Sequence, residues 1–147
     1  MAKKTYLTKT PSETKKLGQK IAKTTFPGHP IALIGDLGAG KTTFVQGFGE
    51  YFGLKRITSP TYTFIKEYKV TSNLSENTVY RVNHIDLYRA TSTEDALSLG
   101  IKELLYDPLA WTLVEWPELI LDLLPKKSVI IKFTVKKNNQ REITITQ

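Results

Sequence analysis

The hydrophobic and polar positions of the chain alternate between strand-like runs and helix-like stripes. Short apolar or alternating runs predict strands at 31–34, 63–70, 78–85, 111–114, 129–135 and 142–146. Apolar residues at helical spacing predict helices at 11–24 and 43–51, with shorter helical stretches at 93–99, 101–106 and 117–124. Strands that alternate with helices favour an α/β fold.

Local signals mark several ends of these elements. Thr10 as N-cap, Pro11 at the first helical position and Glu13 closing a capping box predict the start of the first helix. The polar stretch 71–77 predicts an exposed hairpin loop, and Asn138-Asn139 predicts a turn before the last strand.

The segment from Gly35 to Thr42, G-D-L-G-A-G-K-T, carries the phosphate-binding pattern G-x-x-x-x-G-K-T between a predicted strand and a predicted helix. Glycines let the backbone wrap closely around a polyphosphate, Lys41 can reach its oxygens, and the Thr42 hydroxyl can be a ligand of Mg²⁺. The alternative is a glycine-rich turn that binds nothing. The motif predicts a P-loop NTPase-like three-layer sandwich with a mainly parallel central sheet and added antiparallel strands. The predicted nucleotide contacts are Gly35, Asp36, Leu37, Gly38, Ala39, Gly40, Lys41, Thr42 and Thr43.

Nucleotide hydrolysis also needs an acid near Mg²⁺ and a group that positions water. Asp86 and Glu115 each follow a predicted strand, where they could serve this purpose. Asp86 could instead cap a helix or turn, and Glu115 could form a surface salt bridge. The Ser59-Pro60-Thr61 turn could bring Thr61 to the metal or could be a plain turn.

Composition and charge narrow the class of protein. With 147 residues, we predict one domain over 1–147, located in the cytoplasm because no signal peptide or long apolar run is present. The chain has no cysteine, and His29 and His84 have no partner pattern, which argues against a zinc site. The net charge of +7 lies at the ends, with seven lysines and one glutamate in 1–25 and six basic residues and one glutamate in 126–147. These ends form either a solvated face or a surface for RNA or an acidic partner.

Four motifs in order resemble the TsaE family, also known as YjeE. They are G-D-L-G-A-G-K-T-T-F at 35–44, S-P-T-Y-T at 59–63, H-I-D-L-Y-R at 84–89 and E-W at 115–116, with a family-like Leu-Gly at 99–100. The resemblance covers about 31–118. Members of this family are bacterial P-loop ATPases needed for the threonylcarbamoyladenosine modification of tRNA.

The resemblance implies roles for single residues. Lys41 and Thr42 match the residues that bind the ATP phosphates and Mg²⁺, and Thr61 matches a switch-like threonine. Asp86 matches an aspartate near the metal, and Glu115 matches a glutamate implicated in hydrolysis. We therefore expect Glu115 and Lys41 to be catalytic, and Thr42, Asp86, Glu115 and Thr61 to surround the metal.

The resemblance also implies ligands and partners. Trp116 matches a tryptophan beside the nucleotide, so ATP or ADP with Mg²⁺ is the expected cofactor set. The family works with the proteins TsaD and TsaB, and TsaD carries the transfer chemistry. Contact with tRNA would be indirect or through the basic ends, and no membrane is involved.

Three alternatives remain open at this point. A small-molecule or nucleoside kinase usually has an Arg-rich lid, whereas residues 26–125 hold only three arginines, of which Arg81 and Arg89 are the candidates. A GTPase lacks support because no Asn-Lys-x-Asp motif occurs. A nucleotide-gated RNA-binding module would use the basic ends and would bind with a steep salt dependence.

Overall fold

The computed structural model describes residues 1–60 and 63–147. The strands of this part of the chain, β1 to β7, are Lys3–Thr8, Ile31–Ile34, Ile65–Ser72, Ser75–Asp86, Ala110–Glu115, Val129–Val135 and Arg141–Thr146. The α-helices, α1 to α4, are Pro11–Thr24, Lys41–Tyr51, Thr93–Leu97 and Ile101–Leu105. Short 3₁₀ helices cover Pro117–Leu123 and Lys137–Asn139. None of the described helices is long and apolar enough to span a bilayer.

The strands form one sheet in the order β1-β7-β6-β2-β5-β4-β3. Strands β6, β2, β5 and β4 are parallel to one another and form its centre. Strand β3 is antiparallel at one edge, and β7 and β1 are antiparallel at the other. This arrangement confirms the predicted α/β fold with a parallel centre and added antiparallel strands.

Helices cover both faces of the sheet, which gives three layers. Successive strand residues point to opposite faces. Leu113 therefore packs in the core beneath α1 and α2, while Val114 packs in the core beneath α3, α4 and the first 3₁₀ helix. The central strands are buried on both sides, and every residue of β5 is buried, as parallel strands with helices on both faces require.

Helices α1 and α2 touch backbone to backbone. A Cβ added at Gly18 would lie 2.3 Å from the carbonyl oxygen of Phe44, and one at Gly47 would lie 2.1 Å from that of Lys15. Real Cβ atoms do not approach other atoms so closely, so this crossing requires glycine on both helices. The contact fixes the position of α1 relative to the helix that begins at Lys41.

The cap of α1 is confirmed with one difference. The Thr10 hydroxyl accepts a hydrogen bond from the Glu13 N–H at 3.1 Å, as predicted. The Glu13 carboxylate reaches one residue further back than a capping box requires and accepts from the Lys9 N–H at 2.6 Å. The loop in front of α1 is thereby tied to its first turn.

Some predicted boundaries are wrong. Most of the predicted loop 71–77 is strand, because β3 continues to Ser72 and pairs with Ser75 across a turn of only two residues. Helix α2 begins at Lys41 rather than Thr43. Strand β1 has no counterpart in the prediction: its lysine-rich sequence lacks a buried apolar alternation, and it forms by pairing with β7. The turn predicted at Asn138-Asn139 is confirmed.

Candidate nucleotide-binding site

The loop between β2 and α2 has the backbone conformation that a phosphate cradle needs. Gly38 and Gly40 have φ values of 78° and 107°, in the left-handed region that favours glycine. Gly40 is the N-cap of α2 and offers no capping side chain, and the first turn carries no acidic residue. The N–H groups and the positive end of the helix dipole are therefore available to an anion.

Lys41 is buried at the base of this loop, with only 4% of its surface exposed. Its Nζ donates to the carbonyl oxygen of Gly35 and, at 3.2 Å, to that of Asp36. Burial lowers the pKa of Lys41, while the carboxylate of Glu115 opposes this shift. The ammonium group is thus held by carbonyl groups of the phosphate loop. It would have to give up these hydrogen bonds to contact a phosphate.

Trp116 forms a lid over this lysine. Lys41 Nζ lies 3.8 Å from the centre of its ring, a cation–π contact. The Trp116 backbone is left-handed, with φ 57° and ψ 57°, a conformation that costs a non-glycine residue about 1 kcal/mol or more. Tyr88 packs on the indole with ring centres 5.0 Å apart. The indole ring of Trp116 thus covers the ammonium group of Lys41, and its backbone adopts a strained conformation in this position.

The two predicted acids end neighbouring strands and are brought together. Asp86 of β4 lies opposite Glu115 of β5 in the parallel register. Both Glu115 oxygens lie within hydrogen-bond distance of Thr42 Oγ1, at 3.0 and 3.2 Å. Asp86 is half-buried, and its Oδ1 accepts from the Tyr88 N–H at 2.9 Å. Burial raises the pKa of Asp86, the hydrogen bond from Tyr88 opposes that shift, and the charge of Glu115 adds to it.

The segment after α2 reaches the same point. The Ser59 and Thr42 hydroxyl oxygens are 3.0 Å apart, and Gln46 Nε2 donates to the carbonyl oxygen of Ile57 at 3.0 Å. Residues 57–60 are therefore tied to the first half of α2. Thr61, the predicted metal ligand of this turn, lies outside the described residues.

His84, the first residue of the H-I-D-L-Y-R motif, was assigned no role from the sequence, and the structure places it in contact with Glu115. His84 Nε2 lies 2.5 Å from Glu115 Oε2, and the imidazole is fully buried. The partner comes from a different strand, so sequence spacing does not reveal it. Two signals could have pointed to His84: its place in the H-I-D-L-Y-R motif and its position two residues before Asp86 on the same strand.

A pocket of about 600 Å³ joins these groups, a volume in the range of small-molecule and cofactor sites. One side, here called the phosphate wall, consists of Leu37–Thr43, Asp86, Glu115 and Trp116. Another part of the lining, here called the edge wall, consists of Lys9–Pro11, Thr14, Asn139 and Arg141. No residue of the edge wall was predicted from the sequence to contact the nucleotide. Gly35 and Asp36 do not line the pocket and act through their carbonyl groups on Lys41.

Arg141 connects the two walls. Its Nη2 donates to the carbonyl oxygen of Gly38 at 3.2 Å, and its Nη1 donates to that of Asn139 at 2.7 Å. Asn138 and Asn139 have φ values of 58° and 61°, so the turn before β7 is tight. The turn holds the arginine against the tip of the phosphate loop.

The donors present fit a magnesium–nucleotide complex. Mg²⁺ takes oxygen ligands, keeps several waters and is usually bound by one or two carboxylates plus substrate phosphates. The Thr42 hydroxyl and the carboxylates of Glu115 and Asp86 provide such oxygens around the mouth of the loop. No cluster of three His, Cys, Asp or Glu side chains suited to a metal occurs among residues 1–60 and 63–147. These three side chains therefore fit a Mg²⁺ site whose remaining ligands are phosphate oxygens and water.

The fold and the loop define an α/β protein of the P-loop NTPase-like class. A family model described as "Threonylcarbamoyl adenosine biosynthesis protein TsaE" matches residues 8–143. The chain belongs to the TsaE family, which is named for the biosynthesis of threonylcarbamoyladenosine in tRNA. This result confirms the resemblance inferred from the four motifs.

Several known proteins are similar over most of their length. The tRNA threonylcarbamoyladenosine biosynthesis protein TsaE of Bacillus subtilis strain 168 is 39% identical over 137 residues, which cover 92% of this chain and 80% of that protein. The TsaE protein of Treponema pallidum is 34% identical over 134 residues, which cover 90% and 93%. The crystal structure of Bacillus subtilis YdiB superposes with a TM-score of 0.76 at 35% identity and covers 98% of this chain and 84% of that one.

Proposed function

We propose that this protein binds and hydrolyses Mg²⁺-ATP to support the threonylcarbamoyladenosine modification of tRNA, acting with TsaD and TsaB in the cytoplasm. The observation that carries the ATPase proposal is the cluster of Lys41, Thr42 and Glu115 at the start of α2. Lys41 is buried beside two carboxylates, and the Thr42 hydroxyl lies between the loop and Glu115. The link to tRNA modification rests on membership of the family.

The pocket suggests how a nucleotide would lie. The backbone N–H groups at the start of α2 attract the β-phosphate, and Lys41 draws the β- and γ-phosphates toward the strand ends. Asp86, Glu115 and Trp116 would then face the terminal phosphate. The base would point the other way, to the edge wall formed by Lys9–Pro11, Thr14, Asn139 and Arg141.

The residues of the loop need to change partners when the phosphates enter. Lys41 would exchange the carbonyls of Gly35 and Asp36 for phosphate oxygens, which restores a charged partner to a buried ammonium group. The Thr42 hydroxyl can offer its oxygen to the metal while its proton points to Glu115. A bound Mg²⁺ supplies charge neutralisation for the phosphates and orients them.

The two acids are assigned different tasks. Glu115 is buried, contacts Thr42 directly and is proposed to hold the metal shell and the attacking water. Asp86 is half-buried and one strand further from the loop, which suits contact with metal-bound water. Carboxylates that act on transition-state charge or on water affect turnover more than ground-state affinity.

The kinase alternative receives less support than the ATPase. Of the two candidate lid arginines, Arg81 forms an ion pair with Asp107 at 2.6 Å and does not line the pocket, whereas Arg89 lines it. A single candidate lid arginine at the pocket is fewer than the Arg-rich lid that such kinases usually have. Transfer of the γ-phosphate to water is therefore the reaction proposed.

The test is nucleotide binding and hydrolysis measured with and without the TsaD–TsaB pair. Calorimetry should detect ATP and ADP binding in the presence of Mg²⁺, with GTP and GDP bound more weakly because no guanine-recognition motif is present. Hydrolysis should rise when the pair is added. Preference for GDP, or turnover without any response to the pair, would contradict this assignment.

One observation favours a second function, contact with tRNA. Strands β1 and β7 pair from Lys3–Thr146 to Thr8–Arg141, so the N- and C-terminal segments meet at one edge of the sheet, which carries Lys3, Lys4 and Arg141 beside Glu142. Lys4 and Lys20 flank Tyr6 there, with Nζ atoms 5.4 and 5.0 Å from the centre of its ring. A filter-binding salt series with tRNA tests this contact, because phosphate contacts give a steep fall in affinity with salt. Affinity that does not change with salt would refute it.

A further inference from the structure

His84 lies directly behind the acidic end of β5 and has no task in the function proposed above. The imidazole is fully buried, and the Glu115 side chain is 3% exposed. Nε2 of His84 is 2.5 Å from Oε2 of Glu115. Because burying a carboxylate without hydrogen bonds is costly, this contact and the one with the Thr42 hydroxyl together account for the burial of Glu115.

The surroundings of the ring indicate which nitrogen carries a proton. A neutral imidazole has one N–H donor and one bare acceptor. A bare Nε2 would face the lone pairs of the carboxylate, whereas an N–H at Nε2 donates to it. Nδ1 of His84 is buried without a hydrogen-bond partner among the described residues, and an unpaired buried donor would be costly there. The geometry therefore favours a proton on Nε2.

The pair is carried by two rigid strands. His84 lies opposite Leu113 in the parallel pairing of β4 and β5, two residues before the Asp86–Glu115 pair. Strands of a central sheet position side chains more accurately than loops do. His84 of β4 thus contacts Oε2 of Glu115. The other carboxylate oxygen, Oε1, faces the phosphate loop and lies 3.0 Å from Thr42 Oγ1.

We propose that His84 is a positioning residue: its Nε2–H holds Oε2 of Glu115 and directs Oε1 at the Thr42 hydroxyl. This inference rests on the proposed ATPase function. Thr42 can turn toward a metal, whereas His84 stays fixed in the sheet, so it is the constant partner of the carboxylate. Outer partners of metal-site side chains typically contribute about 10–100-fold in metal affinity or activity.

Two substitutions separate the hydrogen bond from packing. His84→Phe keeps an aromatic ring and removes the donor, and His84→Gln places an amide N–H near the position of Nε2. We expect His84→Phe to lower kcat about 10–100-fold while ATP affinity measured without Mg²⁺ stays within about threefold. His84→Gln should recover most of the lost kcat. Equal losses in both variants, or a wild-type rate in His84→Phe, would overturn the proposal.

Asn83 provides the matched control. It is equally buried, points to the opposite face of β4 and bonds to Thr112 Oγ1 at 3.2 Å. Asn83→Ala should lower the melting temperature without changing kcat or the Mg²⁺ dependence of ATP binding. In a double-mutant cycle, His84→Phe should cost little in a Glu115→Gln background, because His84 acts through that carboxylate. An undiminished cost in that background would exclude action through Glu115.

A measurement on the unaltered protein completes the test and needs no variant to fold. Nitrogen NMR of the histidines should show His84 protonated at Nε2 and bare at Nδ1, and the opposite tautomer would refute the proposal. A wild-type chain that binds no ATP, or that does not hydrolyse it even with TsaD and TsaB, would instead refute the proposed function. The NMR result would still decide whether His84 donates to Glu115, so the two failures can be told apart.

Discussion

The two walls of the pocket are built in different ways. On the phosphate wall, Lys41 and Glu115 are 4% and 2% exposed, and each contacts several partners from the central strands and the loop. On the edge wall, Thr14 is buried, whereas Lys9, Thr10 and Asn139 are exposed. They come from the loop before α1 and the turn before β7, at the antiparallel side of the sheet.

This difference indicates a division of labour. Buried groups on rigid strands are organised in advance and suit the reacting end of a nucleotide, where small displacements are costly. Exposed groups on turns gain little from each contact, because water competes for their hydrogen bonds. Substitutions on the phosphate wall should therefore change binding or chemistry steeply, and substitutions on the edge wall should change affinity only mildly.

The largest expected effect is that of Lys41→Ala. Lys41 is the lysine of the phosphate loop, and its ammonium group should make the main charged contact with the phosphates. ATP affinity should therefore fall by about 100-fold or more. Calorimetry measures this, and circular dichroism checks the fold. Lys23→Ala, which removes an exposed lysine of α1 far from the loop, should bind ATP normally. Unchanged affinity in folded Lys41→Ala would erase the distinction between the walls.

Glu115→Ala should separate turnover from binding. Hydrolysis should fall on the order of 100-fold, the range of a general base or water-positioning group. ATP affinity should stay within a few-fold, and its dependence on Mg²⁺ should weaken because Thr42 loses its carboxylate partner. Single-turnover hydrolysis with TsaD and TsaB, together with titrations at several Mg²⁺ concentrations, gives both numbers. The control is Glu76→Ala, which changes an exposed glutamate of β4 that does not line the pocket. Wild-type hydrolysis in Glu115→Ala would shift the catalytic assignment to Asp86.

Arg141→Ala tests the edge wall. It removes the hydrogen bonds to the carbonyl groups of Gly38 and Asn139. Since each bond is partly exposed, we expect ATP affinity to fall only about 3–10-fold, equivalent to one or two ordinary hydrogen bonds. The ATP affinity of Arg141→Lys should lie between those of the wild type and Arg141→Ala. A loss as large as that of Lys41→Ala would show that the walls do not differ in kind.

The smallest effect concerns stability and pH. The pKa of Asp86 is raised by burial above the ordinary 3.8. Both folded and unfolded chains are protonated below 3.8, so this group then has no effect; as pH rises through the folded pKa, ionisation costs the folded state more. Asp86→Asn should therefore raise the melting temperature at neutral pH without Mg²⁺ or nucleotide, by about 2–4 °C for each kcal/mol gained.

The gain from Asp86→Asn should vanish in acid, and scans across pH monitor it. Asp122→Asn changes an exposed acid and should show no such dependence. A gain that persists unchanged below pH 3.8 would mean that desolvation of the carboxylate is not its cause.

The phosphate wall could be predicted from the sequence, whereas the edge wall could not. The phosphate wall combines a local motif with strand-end acids, and both leave marks in the sequence: Lys41, Asp86 and Glu115 were found from their positions. The edge wall is formed by pairing of distant segments. Arg141 approaches Gly38 only because β7 runs beside β6, and no spacing in the chain records that contact.

His84 and β1 illustrate two physical limits. His84 meets Glu115 across a strand boundary, and a lone buried histidine has the same sequence signature whether it packs or bonds. Strand β1 contains lysines at consecutive positions, and its conformation comes from the partner strand rather than from its own propensity. The 71–77 error has a similar origin, since polar composition favours a loop while the hairpin register continues through it.

The glycine contact between α1 and α2 has a consequence for motion. Because Gly18 and Gly47 bring the two backbones together without intervening side chains, the helices should move as one body. Phosphate bound at the start of α2 would then damp fluctuations in α1, whose central and C-terminal turns do not line the pocket. Amide hydrogens in those turns should exchange more slowly when ATP is present, so α1 would report the state of the loop to the basic outer surface of the molecule.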